Sequence, residues 1–221
     1  MKLYNLGHRY RWEWSQLLYH ALPRLGMEGV ILISPSSPYT CIGYHQDARQ
    51  EIDLDYCRQA GIPVFRREVG GGAVFLDGRQ LFFQIILSPQ NPLARLDKAM
   101  LYQRMLEPIV RTYTDMGIPS RYRPINDVVT EAGCKICGTG AAQIIDSTVI
   151  VGNLIFDFDY ETMSRVLRVP DEKYRDKVFK SMQENLTTVR RELGYVPAED
   201  EAAATMVRRF EEVLGRLEPA Q

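Results

Sequence analysis

Three consecutive glycines, Gly70, Gly71 and Gly72, follow an apolar run and a pair of arginines, Arg66 and Arg67, in the stretch RREVGGGAVFLDG. Glycine permits positive φ and lets backbone amides approach a ligand with no Cβ in the way. Converging amides hold an anion such as a phosphate or carboxylate. The same turn is also compatible with a structural β-bulge, and the glycines alone support both readings. No Gly-Lys-Ser/Thr follows, so the stretch is not a P-loop, and the spacing is not that of a dinucleotide-binding fingerprint. Arg66 and Arg67 are adjacent on a strand, where side chains alternate between faces. One of them at most faces a site, and an arginine beside such a turn suits a carboxylate or phosphate.

A second group lies in NDVVTEAGCKICGTGAA, residues 126–142. Lys135 sits in an apolar stretch followed by small residues that leave room for a ligand, and burying its ammonium without a partner is costly. The sequence offers it no partner; the plain alternative is an edge lysine with its charge in water. Cys134 and Cys137 form a C-x-x-C. A zinc site needs a second pair, and Cys41, Cys57 and the scattered His8, His20 and His45 do not supply one in register. A redox pair normally opens a helix, whereas this one falls in a strand. Buried inert thiols are therefore expected, with Cys137 the exception to hold open. Two residues from Lys135 on a strand, it is expected on the same face, where a cation activates a thiolate. CIGYHQD, residues 41–47, reads as a loop after a strand.

These groups must be positioned by a mixed set of elements. Residues 2–6, 29–34, 39–43 and 64–67 read as strands. Residues 72–76 and 80–87 read as a hairpin around Asp77-Gly78. Residues 126–130, 135–145 and 148–156 are successive strands rich in β-branched residues. Helices are expected at 10–25, with Trp14, Leu17, Leu18, Ala21 and Leu25 as the apolar face, and at 53–60. The clearest helix is 96–116, with Leu101, Met105, Ile109, Tyr113 and Met116 on one face. Further helices are expected at 160–167, 174–182 and 198–217, the last burying Met206, Val207, Phe210, Val213 and Leu214. Strands and helices are interspersed without strict alternation, which predicts an α+β fold: a mixed β-sheet core flanked by helices. With no linker or repeat, residues 1–221 are read as one domain.

The 221 residues carry 27 Lys+Arg and 28 Asp+Glu, a formal net charge of -1. That balance gives no reason to expect nucleic-acid or membrane-surface binding. With 45% hydrophobic and 25% charged residues the chain has ordinary globular composition. No secretory signal or membrane helix is legible, so a cytoplasmic protein with reduced thiols is expected.

In order along the chain, the G-x-x-Q turn, RR-x-x-GGGAVF-x-D, the ND strand, K-x-x-G-x-G-A and G-N-L-x-x-D resemble the lipoate–protein ligase family, within the group of biotin and lipoate ligases and octanoyltransferases. The resemblance spans about residues 10–193. It implies a catalytic domain of that fold that joins lipoate or octanoate to AMP using ATP and Mg²⁺. The acyl group would then pass to a lysine of a lipoyl carrier domain. By position, Lys135 matches the family's essential lysine. Arg66, Gly70, Gly71, Gly72, Ala73, Val74 and Phe75 would line the adenylate and acyl pocket. Asn126 and Asp127 would help hold nucleotide or metal, with Asp127 the candidate metal ligand. Gly138, Thr139 and Ala141 would wall the acyl carbonyl, with Gly152 and Asn153 on the opposite strand. A fixed lysine supplies charge where it builds in both half-reactions. Val74, Phe75, Ile136 and Ile144 are candidates for the apolar slot.

The sequence departs from the family pattern where Leu76 and Val151 stand in place of histidines. There is also no room for an accessory domain, so a separate accessory protein is one expectation. Asp77–Leu81 echoes the octanoyltransferase branch, which uses a cysteine nucleophile and takes the acyl group from acyl carrier protein without ATP. The leading expectation is the ligase, resting on Lys135 and the complete glycine stretch. Its alternatives are a transferase using Cys137, and a non-catalytic acyl-adenylate-binding subunit. A biotin ligase matches less well, since that branch's glycine-arginine loop and helix-turn-helix are missing.

Overall fold

The computed structural model describes residues 1–220. Strand β1 (Lys2–Gly7) leads into helix α1 (Trp12–Arg24), and β2 (Gly29–Ile33) follows, buried at every position. Next come β3 (Tyr39–Ile42), the short helices α2 (Ala48–Glu51) and α3 (Leu54–Gln59), β4 (Val64–Arg66), β5 (Val74–Leu76) and the fully buried β6 (Gln80–Leu87). After α4 (Lys98–Asp115) the chain forms β7 (Ser120–Arg123), β8 (Asp127–Thr130), β9 (Lys135–Ile144) and β10 (Ser147–Ile155). It closes with α5 (Tyr160–Val166), α6 (Glu172–Asn185), α7 (Val189–Leu193), α8 (Glu199–Leu214) and β11 (Glu218–Pro219).

Among the described residues, eight strands form one sheet in the order β11-β1-β2-β6-β10-β9-β8-β7, and β4-β3-β5 form a second. In the large sheet β1 runs parallel to β2 and β11, and the other pairs are antiparallel. This is the mixed sheet flanked by helices that the sequence predicts. Alternation sorts β6 between two cores. Leu81, Phe83, Ile85 and Leu87 pack under α4 and α8, while Phe82 and Ile86 pack against α1 and the small sheet. Asp97 caps α4 by accepting from the amides of Ala99 and Met100, and the Tyr113 hydroxyl donates to the Ile136 carbonyl at 2.8 Å. That bond ties α4 to the start of β9. No helix among the described residues is long and apolar enough to cross a membrane.

Two expectations are corrected. Residues 72–87 do not form a hairpin. β5 pairs with β3 in the small sheet and β6 pairs with β2 and β10 in the large one. Asp77 turns the chain between sheets by accepting from the Arg79 amide at 2.9 Å and from its guanidinium. Helix α1 also presents a different face. It buries Ser15, Gln16, Tyr19, Leu22 and Pro23, while Trp14, Leu17 and Leu25 are exposed. The polar side chains are buried because they satisfy one another: the Tyr19 hydroxyl donates to Gln16 Oε1, and Gln16 Nε2 donates to the Tyr39 hydroxyl.

Candidate active site

A cleft of about 520 Å³ lies between the glycine turn and the α1-side face of the large sheet. Its first wall is the segment joining β4 to β5. Gly71 has φ +106°, a conformation that a side-chain-bearing residue adopts only under strain. The turn folds around Arg67, whose guanidinium donates to the carbonyls of Gly70 (3.0 Å), Gly72 (2.8 Å) and Cys41 (3.3 Å). With its carbonyls engaged on that side, the turn lines the cleft with Gly70, Gly71 and Gly72. A Cβ at Gly43 would lie 2.0 Å from the Gly71 carbonyl oxygen, so Gly43 allows the turn to seat against the end of β3. The stretch CIGYHQD, read as a plain loop, is therefore part of the scaffold.

The second wall is the start of β9 with its neighbours. Lys135 Nζ lies 2.6 Å from Asp127 Oδ1, and Arg123 Nη2 lies 2.9 Å from Asp127 Oδ2. The lysine for which the sequence offers no partner thus has one on the neighbouring strand. A Cβ at Gly138 would come within 3.0 Å of Lys135 Nζ, so the glycine supplies the space that the ammonium occupies. Asn126 and Thr139 lock the neighbouring strands together: Asn126 Nδ2 donates to the Thr139 carbonyl, and the Thr139 hydroxyl donates to the Asn126 carbonyl at 2.7 Å. On β10, Asn153 Nδ2 donates to Gln80 Oε1 at 2.6 Å. Gly152 accommodates Phe83 and Thr139, whose atoms would lie 2.4 and 2.6 Å from a Cβ there.

Val74, Phe75, Asn126, Asp127, Lys135, Gly138, Thr139, Gly152 and Asn153 line the cleft with the three glycines. Four residues assigned to the site do not. Arg66 turns away and donates to the carbonyls of Tyr44 (2.9 Å) and Gln46; alternation gives Arg67 the cleft instead. Ala73 and Ala141 pack into hydrophobic clusters. Cys137 is fully buried in the core beneath α4. The reason is a β-bulge. Val129 pairs with Lys135 and Val128 with Cys137, so Ile136 is the extra residue and the lysine and thiol point to opposite faces. Burial pushes the Cys137 thiol up to about 12. Ile136 and Ile144 are likewise core residues, not slot residues.

Asp127 does not fit a resident metal ion, since both carboxylate oxygens already meet a cation. Among the described residues no three His, Cys, Asp or Glu side chains converge to hold one. Besides Arg67, the other member of the arginine pair, the cleft is lined by residues that the sequence does not single out: Gln16, Tyr19, Gln80, Phe82 and Gln84. For the two β6 glutamines a signal existed, because they interrupt an otherwise apolar run, QLFFQIIL.

The fold is that of the lipoate protein ligases. The structure of a bi-partite lipoate protein ligase from Thermoplasma acidophilum, described in work on an archaeal lipoylation system with its E2 lipoyl domain, superposes with a TM-score of 0.83. That match is 27% identical and covers 100% of this chain and 87% of the other. Residues 8–211 match the family described as "Lipoyl protein ligase A/B catalytic domain", and the chain belongs to that family. It is 32% identical over 183 residues to the "Lipoate-protein ligase A subunit 1" of the same organism, covering 78% of this chain and 67% of the relative. It is also 27% identical over 209 residues to the "Octanoyltransferase LipM" of Kyrpidia tusciae, covering 83% of this chain and 75% of that one. Against two further lipoate–protein ligases the chain spans less than half of the relative's length, 42% and 46%.

Proposed function

We propose that this chain is the catalytic domain of an ATP-dependent lipoate (or octanoate) protein ligase. In the first step a carboxylate oxygen of the acid attacks the α-phosphorus of ATP and pyrophosphate leaves. In the second, the amine of a carrier-domain lysine attacks the acyl carbonyl and AMP leaves. Negative charge builds on the α-phosphate and then on the carbonyl oxygen. Lys135, held by Asp127 and seated over Gly138, supplies a cation there without reorganisation, and the glycine-turn wall supplies close approach. Removing one such group costs roughly 10²–10³ in rate. The acyl chain would lie against Val74, Phe75, Leu76, Phe82 and Val151.

The observation that carries this reading over its alternative is the separation of lysine and thiol by the β9 bulge. Among the described residues none of the four cysteines lines the cleft. The octanoyltransferase relative keeps thioester transfer as the second reading. The bi-partite ligase is the precedent for a separate accessory protein, and its E2 lipoyl domain for the acceptor. The reaction would take place in the cytoplasm, where ATP and carrier proteins meet. Intact-mass analysis of an apo lipoyl domain tests the assignment. Acylation from free acid with ATP, and none from acyl carrier protein without it, is the expected result; the reverse pattern promotes the transferase.

A further inference from the structure

The cleft continues past the lysine. In the sheet register Val151 stands opposite both Gln84 and Gly140, and Asn153 stands opposite Phe82. Strand spacing and rise then put Gln84 about 12 Å from Gly138, over which the ammonium sits. That is the span of an extended eight-carbon acyl chain held by its carboxyl end at Lys135. Phe82 and Val151 line the way with apolar surface.

The far end is polar, and its hydrogen bonds run in one direction. Tyr19 donates to Gln16 Oε1 at 2.7 Å, and Gln16 Nε2 donates to the Tyr39 hydroxyl at 2.6 Å. The Ser15 hydroxyl donates to the Trp12 carbonyl at 2.6 Å, so Tyr39 donates to Ser15 Oγ at 2.9 Å. Gln84 Nε2 donates to the Ser15 carbonyl at 2.5 Å, which fixes its amide with Oε1 as the remaining acceptor. That oxygen is buried and has no partner, on a residue only 2% exposed that lines the cleft. The hydroxyl protons of Tyr19, Tyr39 and Ser15 are already committed to other acceptors. A buried acceptor without a donor is costly, and a purely apolar chain end would leave it so.

We infer that the slot selects medium-chain acids carrying a hydrogen-bond donor at the end remote from the carboxylate, the dithiol form of lipoate among them, over methyl-ended octanoate. The inference rests on the ligase reading for the placement of the carboxyl end at Lys135. A thiol is a weak donor and a hydroxyl a strong one, so the two probes differ in degree.

Calorimetry on the full chain without nucleotide compares octanoate, ω-hydroxyoctanoate and dihydrolipoate, with wild type and with Gln84→Met. In the wild type ω-hydroxyoctanoate is expected to bind about ten-fold tighter than octanoate, with dihydrolipoate between them. Gln84→Met should abolish the difference while octanoate binds as well or better. Equal binding of all three acids to wild type, or a preference that persists in Gln84→Met, overturns the inference. Should the variant fail to fold, the wild-type ranking alone decides. ATP-dependent acylation of a lipoyl domain is measured in parallel. Acylation without the ranking sinks only the inference, and the ranking without acylation sinks only the ligase reading. Failure of every acid to bind sinks both.

Discussion

The two walls of the cleft are held by different means. The strand wall lies inside the large sheet, where β9 pairs with β10 from Thr139 to Ile144 and, through the bulge, with β8 from Lys135 to Gly138. Its charged group is fixed by a carboxylate that is itself fixed by a second cation. The glycine wall has no strand partner between β4 and β5. One guanidinium, that of Arg67, holds it through the carbonyls of Gly70 and Gly72, and a Cβ at either glycine would meet nothing within 4 Å. The charge that must be pre-placed for chemistry is built into rigid structure. The surface that must fit a ligand is left as bare backbone. Electrostatic stabilisation is effective only when it needs no reorganisation, which is the physical reason for that division.

Breaking the strand wall should have the largest effect. Lys135→Ala is expected to lower the rate of carrier acylation by roughly 10²–10³. Asp127 keeps Arg123 as a partner, so the melting temperature should barely move. Acylation within a few-fold of wild type would show that the lysine is an ordinary ion-paired strand residue.

Breaking the glycine wall should cost less. Gly71→Val forces a β-branched residue into φ +106° and puts its Cβ 2.8 Å from the Arg67 guanidinium. Strain of about 1–3 kcal/mol is expected if the turn keeps its shape; relaxing out of it displaces the wall, which is read as weaker binding of a non-hydrolysable acyl-adenylate in calorimetry. At Gly72 an added Cβ meets no protein atom within 4 Å, so Gly72→Ala should melt as wild type and any loss of binding there reports the ligand's approach alone. A Gly71→Val protein that melts well below wild type yet binds normally would mean that the turn is structural only.

These contrasts also mark what the sequence makes legible. The long apolar runs of β2 and β6 and the helical spacing of Leu101, Met105, Ile109 and Tyr113 announce themselves, because burial on both faces or along one stripe leaves a direct pattern. The glycine stretch and Lys135 are legible as chemistry for the same local reason. The face of α1 is not: Trp14, Leu17 and Leu25 are more apolar than Ser15, Gln16 and Tyr19. The polar set is buried only because Tyr39 and Gln84 arrive from distant strands to complete its hydrogen bonds. The bulge at Ile136 is equally invisible. Strand alternation puts Lys135 and Cys137 on one face, and only the pairing with Val128 and Val129 parts them. Which of Arg66 and Arg67 meets the cleft is likewise a matter of register.

The smallest effect is expected where the bulge hides the thiol. Cys137→Ser should leave carrier acylation within a few-fold of wild type. It should lower stability by about 1–3 kcal/mol, because a hydroxyl replaces a thiol in an apolar core. With its ionisation pushed up to about 12 by burial, Cys137 is almost wholly protonated at neutral pH. Alkylation followed by peptide mapping should therefore modify half-buried Cys134 well before Cys137. Rapid labelling of Cys137 would contradict the assignment of the two faces.

The central claim is that a fixed lysine facing a glycine turn forms an acyl-adenylate with no thiol in the path. Exchange of labelled pyrophosphate into ATP, measured on the wild-type chain with no carrier protein present, tests it most directly. Exchange is expected to depend on added lipoate or octanoate, to persist in Cys137→Ser and to disappear in Lys135→Ala. Acid-independent exchange, or none under conditions where the same chain acylates a carrier from acyl carrier protein, would contradict it.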